Sequence, residues 1–407
     1  MTAKHGFSLG QPSALGRTRM LALAATVAIA AGAALGVPAS RADIGSVYFD
    51  DNNNAAAGET LFNGTFTGQF NVGLGRSVMP NLTTGSNNVA AGHQALLFNT
   101  TGNNNVATGT NALFSNTTGN NNVATGRDAL FSNTTGNNNV ATGANALFSN
   151  TTGNSNVAAG LNALLRNTTG NFNVATGSDA LFFNTTGNFN VATGRDALFS
   201  NTTGNHNVAA GLNALRSNTT GGANVATGRD ALRSNTTGND NVAAGTQALF
   251  SNATGSANVA IGGGALNDNT TGDENVATGA NTLANATGSR NIALGSNSGS
   301  NLTTGSDNID IGNAGVAGES GTIRIGDPAN QTAAFITGIR GTALDSTAQP
   351  VVVDASGRLG AAPELSASVT SLTASVTSLT ASVKRLSAKL KRQQRQINRL
   401  RRQVKGG

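Results

Sequence analysis

One interval constrains this chain more than anything else in it. Val72, Val89, Val106, Val123 and their successors to Val276 recur every 17 residues, with Ile292 after 16 and Ile309 after 17 more. Leu96 to Leu283 keeps the same spacing. The unit reads Asn-Val-Ala-Thr/Ala-Gly-x-x-Ala-Leu-x-x-Asn-Thr-Thr-Gly-x-x, as in Asn139 to Ser155. A coil this small has too little apolar surface to fold alone, so coils must stack and share one core. The pattern predicts a mainly β chain, a parallel β-solenoid or β-roll of either hand. Some fourteen coils at ~4.8 Å each would make a rod of roughly 70 Å.

Each part of the unit carries an expectation. Asn-Val-Ala-Thr is a short extended segment, with Val inward and its neighbours outward. The following glycine, as at Gly109, Gly126 and Gly143, supplies a conformation that a Cβ forbids. Ala-Leu gives a second apolar contact, as a strand or a single helical turn. Asn-Thr-Thr-Gly is a turn in which Asn bonds locally and Gly takes positive φ. Stacked asparagines can also hydrogen-bond from coil to coil.

Composition removes other possibilities. The 407 residues include 53 Gly, 4% aromatics, 11% charged residues, no Trp and no Cys. Globular domains carry about 25% charged residues. An aromatic-rich core, disulfides and thiolate metal sites are thereby excluded. The histidines, His5, His93 and His206, have no metal-ligand spacing. Arg127/Asp128, Arg195/Asp196 and Arg229/Asp230 occupy a variable step of the unit and read as solvated charges. The Asn-Thr-Thr triplets match a glycosylation acceptor, but their fixed phase makes them turns first. Phe172 and Phe189 are either exposed contact points or local core variants. No catalytic, cofactor-binding or metal residue is expected, no cofactor, and no enzyme.

The repeat resembles the head of YadA-like trimeric autotransporter adhesins. It carries Asn-Val-Ala-x-Gly throughout, and Asn258-Val259-Ala260-Ile261-Gly262 is nearly that family's pattern, though the family's period is shorter. The likeness covers residues 72–318. It implies a left-handed parallel β-roll that trimerises about a shared axis. The unit with Ala-Leu and Asn-Thr-Thr-Gly also resembles secreted bacterial proteins of tail-fibre-like architecture.

The ends differ from the middle. The net charge of +6 comes from basic residues at both termini, leaving a mildly acidic centre. Arg17 and Arg19 precede an apolar run from Met20 to Val37, and Ser40-Arg41-Ala42 offers a small-x-small site. That pattern predicts a cleaved export signal at 1–42, the alternative being an uncleaved anchor. A lead-in follows at 43–71. After the head, a β connector at 319–363 contains three expected strands: Thr322 to Ile325, Ala334 to Ile339, and Val351 to Val353. The connector resembles the lead-in to a tail-fibre chaperone, which is not expected here.

Residues 364–407 read as a coiled-coil stalk. Leu365, Val369, Leu372, Val376, Leu379, Val383, Leu386, Leu390, Ile397, Leu400 and Val404 alternate in steps of four and three, with Gln393 as the polar seam position. Val at a with Leu at d leans towards two strands, whereas the head resemblance implies three. A homotrimer is favoured and a dimer is possible. Lys384, Arg385, Lys391, Arg392, Arg395, Arg399, Arg402 and Lys405 fall at b, c or f, on the outer face. They are candidates for docking an anionic envelope polymer or extracellular DNA by salt-sensitive, non-specific contact. The chain closes on Arg-Arg-Gln-Val-Lys-Gly-Gly rather than on membrane-inserting strands, so no integral barrel is expected.

The expected function is that of a secreted or cell-surface, non-enzymatic fibrous protein. It would be adhesin-like, with its host or matrix ligand unnamed by the sequence. The alternatives are a phage-tail-fibre-like structural protein and an extracellular polyanion binder.

Overall fold

The structure is a computed structural model that describes residues 47–58, 62, 66–336, 351–355, 358–361 and 363–405. The export-signal segment 1–42 and residues 337–339 of the connector lie outside the described residues.

Eighteen strands form one sheet. β1 (Val47–Phe49) pairs antiparallel with β2 (Ala55–Ala57). From β2 to β18 (Ile323–Ile325) every coil contributes one three-residue strand, and successive strands pair in parallel. Equivalent residues lie opposite one another: Val106 on Val123, Ala107 on Ala124, Thr108 on Thr125. The shortened coil keeps this register, with Val276 opposite Ile292. Parallel pairing takes in one strand before Val72 and one after Ile309.

The direction of the side chains is the reverse of the one expected. Asn139 and Ala141 are fully buried, Val140 is 37% exposed, and Thr142 is exposed. Side chains alternate along a strand, so one residue fixes the rest. Asn takes the inside because neighbouring coils satisfy it. Asn139 Nδ2 donates to Asn122 Oδ1 (3.2 Å) and to Gly153 O (2.9 Å), and Asn139 N donates to the same Oδ1 (3.0 Å). An unpaired buried amide would cost ~1–3 kcal/mol; stacking removes that cost. The column runs from Asn54 to Asn308. A second buried column runs from Asn99 to Asn269, where Asn116 Nδ2 donates to Asn99 Oδ1 (2.8 Å) and Gly119 O (3.0 Å).

The Ala-Leu piece is neither strand nor helical turn. Asn111 and Leu113 have φ of 56° and 52°, with buried Ala112 between them. Asn111 N donates backward to His93 O (2.9 Å) and Leu113 N forward to Ala129 O (3.0 Å). A left-handed residue with a Cβ costs ~1–2 kcal/mol. Complete burial of the Leu side chain contributes ~1.5–3 kcal/mol, so the corner is held by its own core contact.

Two glycines serve different needs. Gly126 has φ 138°, and a Cβ there would come within 2.5 Å of Gly143 O, as the sequence predicts. The turn glycine departs from expectation. Positive φ falls two residues after Gly119, on Asn121 (57°), and Gly119 is required for space: its Cβ would meet Gly136 O at 2.5 Å.

The first coil is closed by a carboxylate. Asp50 accepts Asn54 N (2.9 Å) on Oδ1 and Asn54 Nδ2 (3.1 and 2.9 Å) on both oxygens, so it replaces the missing preceding Asn. At the other end Asn308 Oδ1 accepts Thr322 N (3.1 Å).

The chain divides into two units, the solenoid through Gln331 and a second unit from Thr332. In the second, β19 (Val351–Val353) pairs antiparallel with β20 (Leu359–Ala361). Helix α1 (Pro363–Val404) spans 42 residues, with Pro in its first turn, where no N–H is needed, and Arg401 and Arg402 in its last. Of the three connector strands, Ile323–Ile325 joins the solenoid sheet as β18 and Val351–Val353 forms β19. Residues 334–336 are not a strand, and Phe335 is 94% exposed.

Candidate functional site

The solenoid presents an uncharged strip. On β3 (Val72–Leu74) through β17 (Ile309–Ile311) the first and third residues of every strand face outward, and none is charged. The first column is Val or Ile, half exposed, as at Val157, Val191, Val208 and Ile292. The third is Thr or Ala, with Leu74, Ile261, Leu294 and Ile311 as its large apolar members. Because the strands are in register, Val or Ile stacks on Val or Ile along the whole first column, while the third mixes Thr, Ala and larger apolar residues.

Aromatic rings form two further columns. Phe172 and Phe189 are exposed and stacked (5.0 Å between centroids), and His206 continues the stack (5.1 Å). Both rings are therefore on the surface rather than local core variants. The other column lies beside the buried Leu. Phe114, Phe131 and Phe148 stack at 4.7 and 5.0 Å, Arg216 lies over Phe199 (5.1 Å), and Arg233 over Phe250 (5.5 Å). Its signal was the recurrent Phe after Ala-Leu, at a position the repeat leaves variable.

The Arg–Asp pairs are local and largely solvated on the arginine side. Arg127, Arg195 and Arg229 approach Asp128, Asp196 and Asp230 at 3.4, 3.7 and 3.5 Å. The aspartates are more buried than the arginines. Asp128 and Asp230 accept Asn111 Nδ2 (2.8 Å) and Asn213 Nδ2 (2.9 Å) of the preceding coil. They work as rungs.

On α1 every seam residue, Leu365, Val369, Leu372, Val376, Leu379, Val383, Leu386, Leu390, Ile397, Leu400 and Val404, is exposed, from 44% at Ile397 to 83% at Val404. The basic residues Lys384, Arg385, Lys391, Arg392, Arg395, Arg399, Arg402 and Lys405 are also exposed. Thr373, Thr377 and Thr380 turn their hydroxyls back onto carbonyls one turn earlier (2.8, 2.9 and 2.8 Å). The helix therefore has an apolar stripe that no described residue covers.

One charged group sits in the solenoid core. Asp310 occupies the slot that holds Ala in all but one of the preceding coils, is fully buried, and has no hydrogen-bond partner on either carboxylate oxygen. Burial and the nearby Glu319 push its carboxyl up to about 6, against an opposing pull from Arg324. Glu319 is held below its usual range, chiefly by the hydrogen bonds from Arg324 (2.8 Å at the closest).

No protein-family model, curated protein or solved structure matches the chain. Among the described residues no group of His, Asp or Glu is placed to hold a metal, and no helix is long and apolar enough to cross a membrane.

Proposed function

We propose that this chain is a secreted, non-enzymatic, fibrous surface protein, adhesin-like, that displays its β-solenoid head on a coiled-coil stalk as a homotrimer. The observation that carries the reading is the uncharged outward Val/Ile column. Half-exposed Val repeated in register along a whole sheet is surface that water does not favour, at ~25 cal/mol per Å² of apolar area. Further copies of the chain would cover it. The exposed heptad seam of α1 supports the same assembly, since a and d residues acquire their burial from partner helices. Assembly by both surfaces gives a long repetitive object suited to presentation. The aromatic column at Phe172 and Phe189 is the part of the head surface that departs most from the Asn/Thr background.

Light scattering on the exported form, residues 43–407, tests the assembly. Three chains per particle are expected. Leu379→Asp with Leu386→Asp should release the stalk, and Val174→Lys with Val191→Lys the head. A wild-type particle of one chain overturns the reading.

A second reading is favoured by one observation: residues 384–405, the end of α1 and the lysine after it, carry only positive charge, all of it solvent-facing. A polyanion binder would lose heparin or DNA affinity steeply with salt. Retention on heparin that is unchanged between 50 mM and 500 mM salt would remove it.

A further inference from the structure

We propose that Asp310 makes the last coil of the solenoid a proton-operated latch: acid closes the C-terminal end of the stack and neutral pH loosens it. In the unit, the middle residue of each strand points into the core and is Ala in nearly every coil. In β17 the sequence Ile-Asp-Ile puts a carboxylate there, between Ala293 of β16 (Ile292–Leu294) and Arg324 of β18. Both of its oxygens are out of solvent and without a donor. A buried ionised carboxylate with nothing to bind it is disfavoured, and the group responds by holding a proton.

The surroundings leave room for a proton and for little else. Gly299 and Gly315 close on the carboxylate: a Cβ on Gly315 would lie 3.0 Å from Oδ2, and one on Gly299 3.4 Å. Leu302 packs against the same glycine. The Ser298 hydroxyl is committed, donating to Leu294 O (2.8 Å) and accepting Gly312 N (3.0 Å). No ring of oxygens is left to complete a cation site. The charged groups that face Asp310 are Glu319, on the segment between β17 and β18, and Arg324, on β18. Arg324 spends its guanidinium on Glu319 (2.8–3.0 Å). β16 and residues 295–302 bring no charged side chain.

The sign follows from linkage. A carboxyl whose value is raised on folding favours the folded coil when protonated, so stability rises as pH falls through about 6. Glu319 is held below its ordinary range and opposes this only in stronger acid. Between pH 7.5 and pH 5 the opening equilibrium of the last coil should fall about tenfold.

Hydrogen exchange on the full chain, corrected for the intrinsic pH dependence of exchange, reads this directly. Residues 295–325 should gain about tenfold in protection from pH 7.5 to 5, while coils between 123 and 210 stay flat. Asp310→Asn should abolish the slope, and so should Asp310→Ala, which restores the residue of the other coils; Glu319→Gln should keep it. A flat wild-type profile, or a slope that survives in both Asp310 variants, overturns the latch. Equal slopes in the inner coils overturn it as well, since the effect would then belong to the whole stack.

Discussion

The solenoid and α1 use the same few apolar residue types to opposite ends. In the coils, Ala112, Leu113 and their equivalents have no exposed surface, and what covers them is the next copy of themselves along the same chain. In α1, Val, Leu and Ile at heptad spacing are 44–83% exposed, because a lone helix has no second layer. The first region is completed by repetition within the chain. No described residue covers the second, and the proposed assembly would complete it with partner helices. Stability of the head should therefore be set by contacts between neighbouring coils, and assembly through the stalk by contacts between chains.

The largest effect should come from the tightest place in the head. Gly126→Ala forces a Cβ within 2.5 Å of Gly143 O at a φ of 138° and should destabilise the head by about 3 kcal/mol. Chemical denaturation followed by far-UV circular dichroism measures it. Asn173→Ala removes a rung that donates to Asn156 Oδ1 and Gly187 O, and it deprives Asn190 of its acceptor. The loss should be roughly 2–3 kcal/mol, with hydrogen exchange accelerated most in the coils on either side. Leu379→Asp with Leu386→Asp should leave the head's melting temperature unchanged while the helical circular-dichroism signal falls; a lower melting temperature would show the two regions to be energetically coupled. Val191→Thr, on the outward column, should change the stability of the head by no more than ~0.5 kcal/mol when measured on isolated chains. Its effect should appear in assembly. The smallest effect belongs to the exposed pair of Arg290 and Asp307 (2.6 Å). Arg290→Ala should leave the denaturation midpoint where it is, since solvent and salt screen such a pair.

The sequence was informative wherever a residue answers to its own spacing. The 17-residue period, the strand at Asn-Val-Ala-Thr, the glycine after it and the length of α1 all follow from positions alone. It misled at Val140, for a physical reason. Read one coil at a time, Val is the most apolar residue of its segment and should turn inward, while Asn139 should turn out. Stacked coils change the balance, because the amide of Asn139 is satisfied by Asn122 and Gly153, and Val stays outside. The left-handed Leu113 was not legible either. Nothing local favours that conformation in Leu; it is selected by the inward slot and by Ala129 O of the next coil. Asp310 stands out only once the slot it fills is known to hold Ala. The apolar stripe of α1 follows from steps of four and three, which define one face of a helix; what covers that face does not follow from them.

The closure of the Asn54–Asn308 column by Asp50 at one end and by Thr322 N at the other has a genetic consequence. Each inner coil recognises only a copy of itself, so no coil encodes how many there should be. The two closing sequences fix only where the column stops, and the number of coils between them is simply the number of repeats. Recombination between near-identical repeats can add or remove whole 17-codon blocks without disturbing a single contact type. Any such exchange would change the length of the head in discrete steps of one coil while both ends stay fixed.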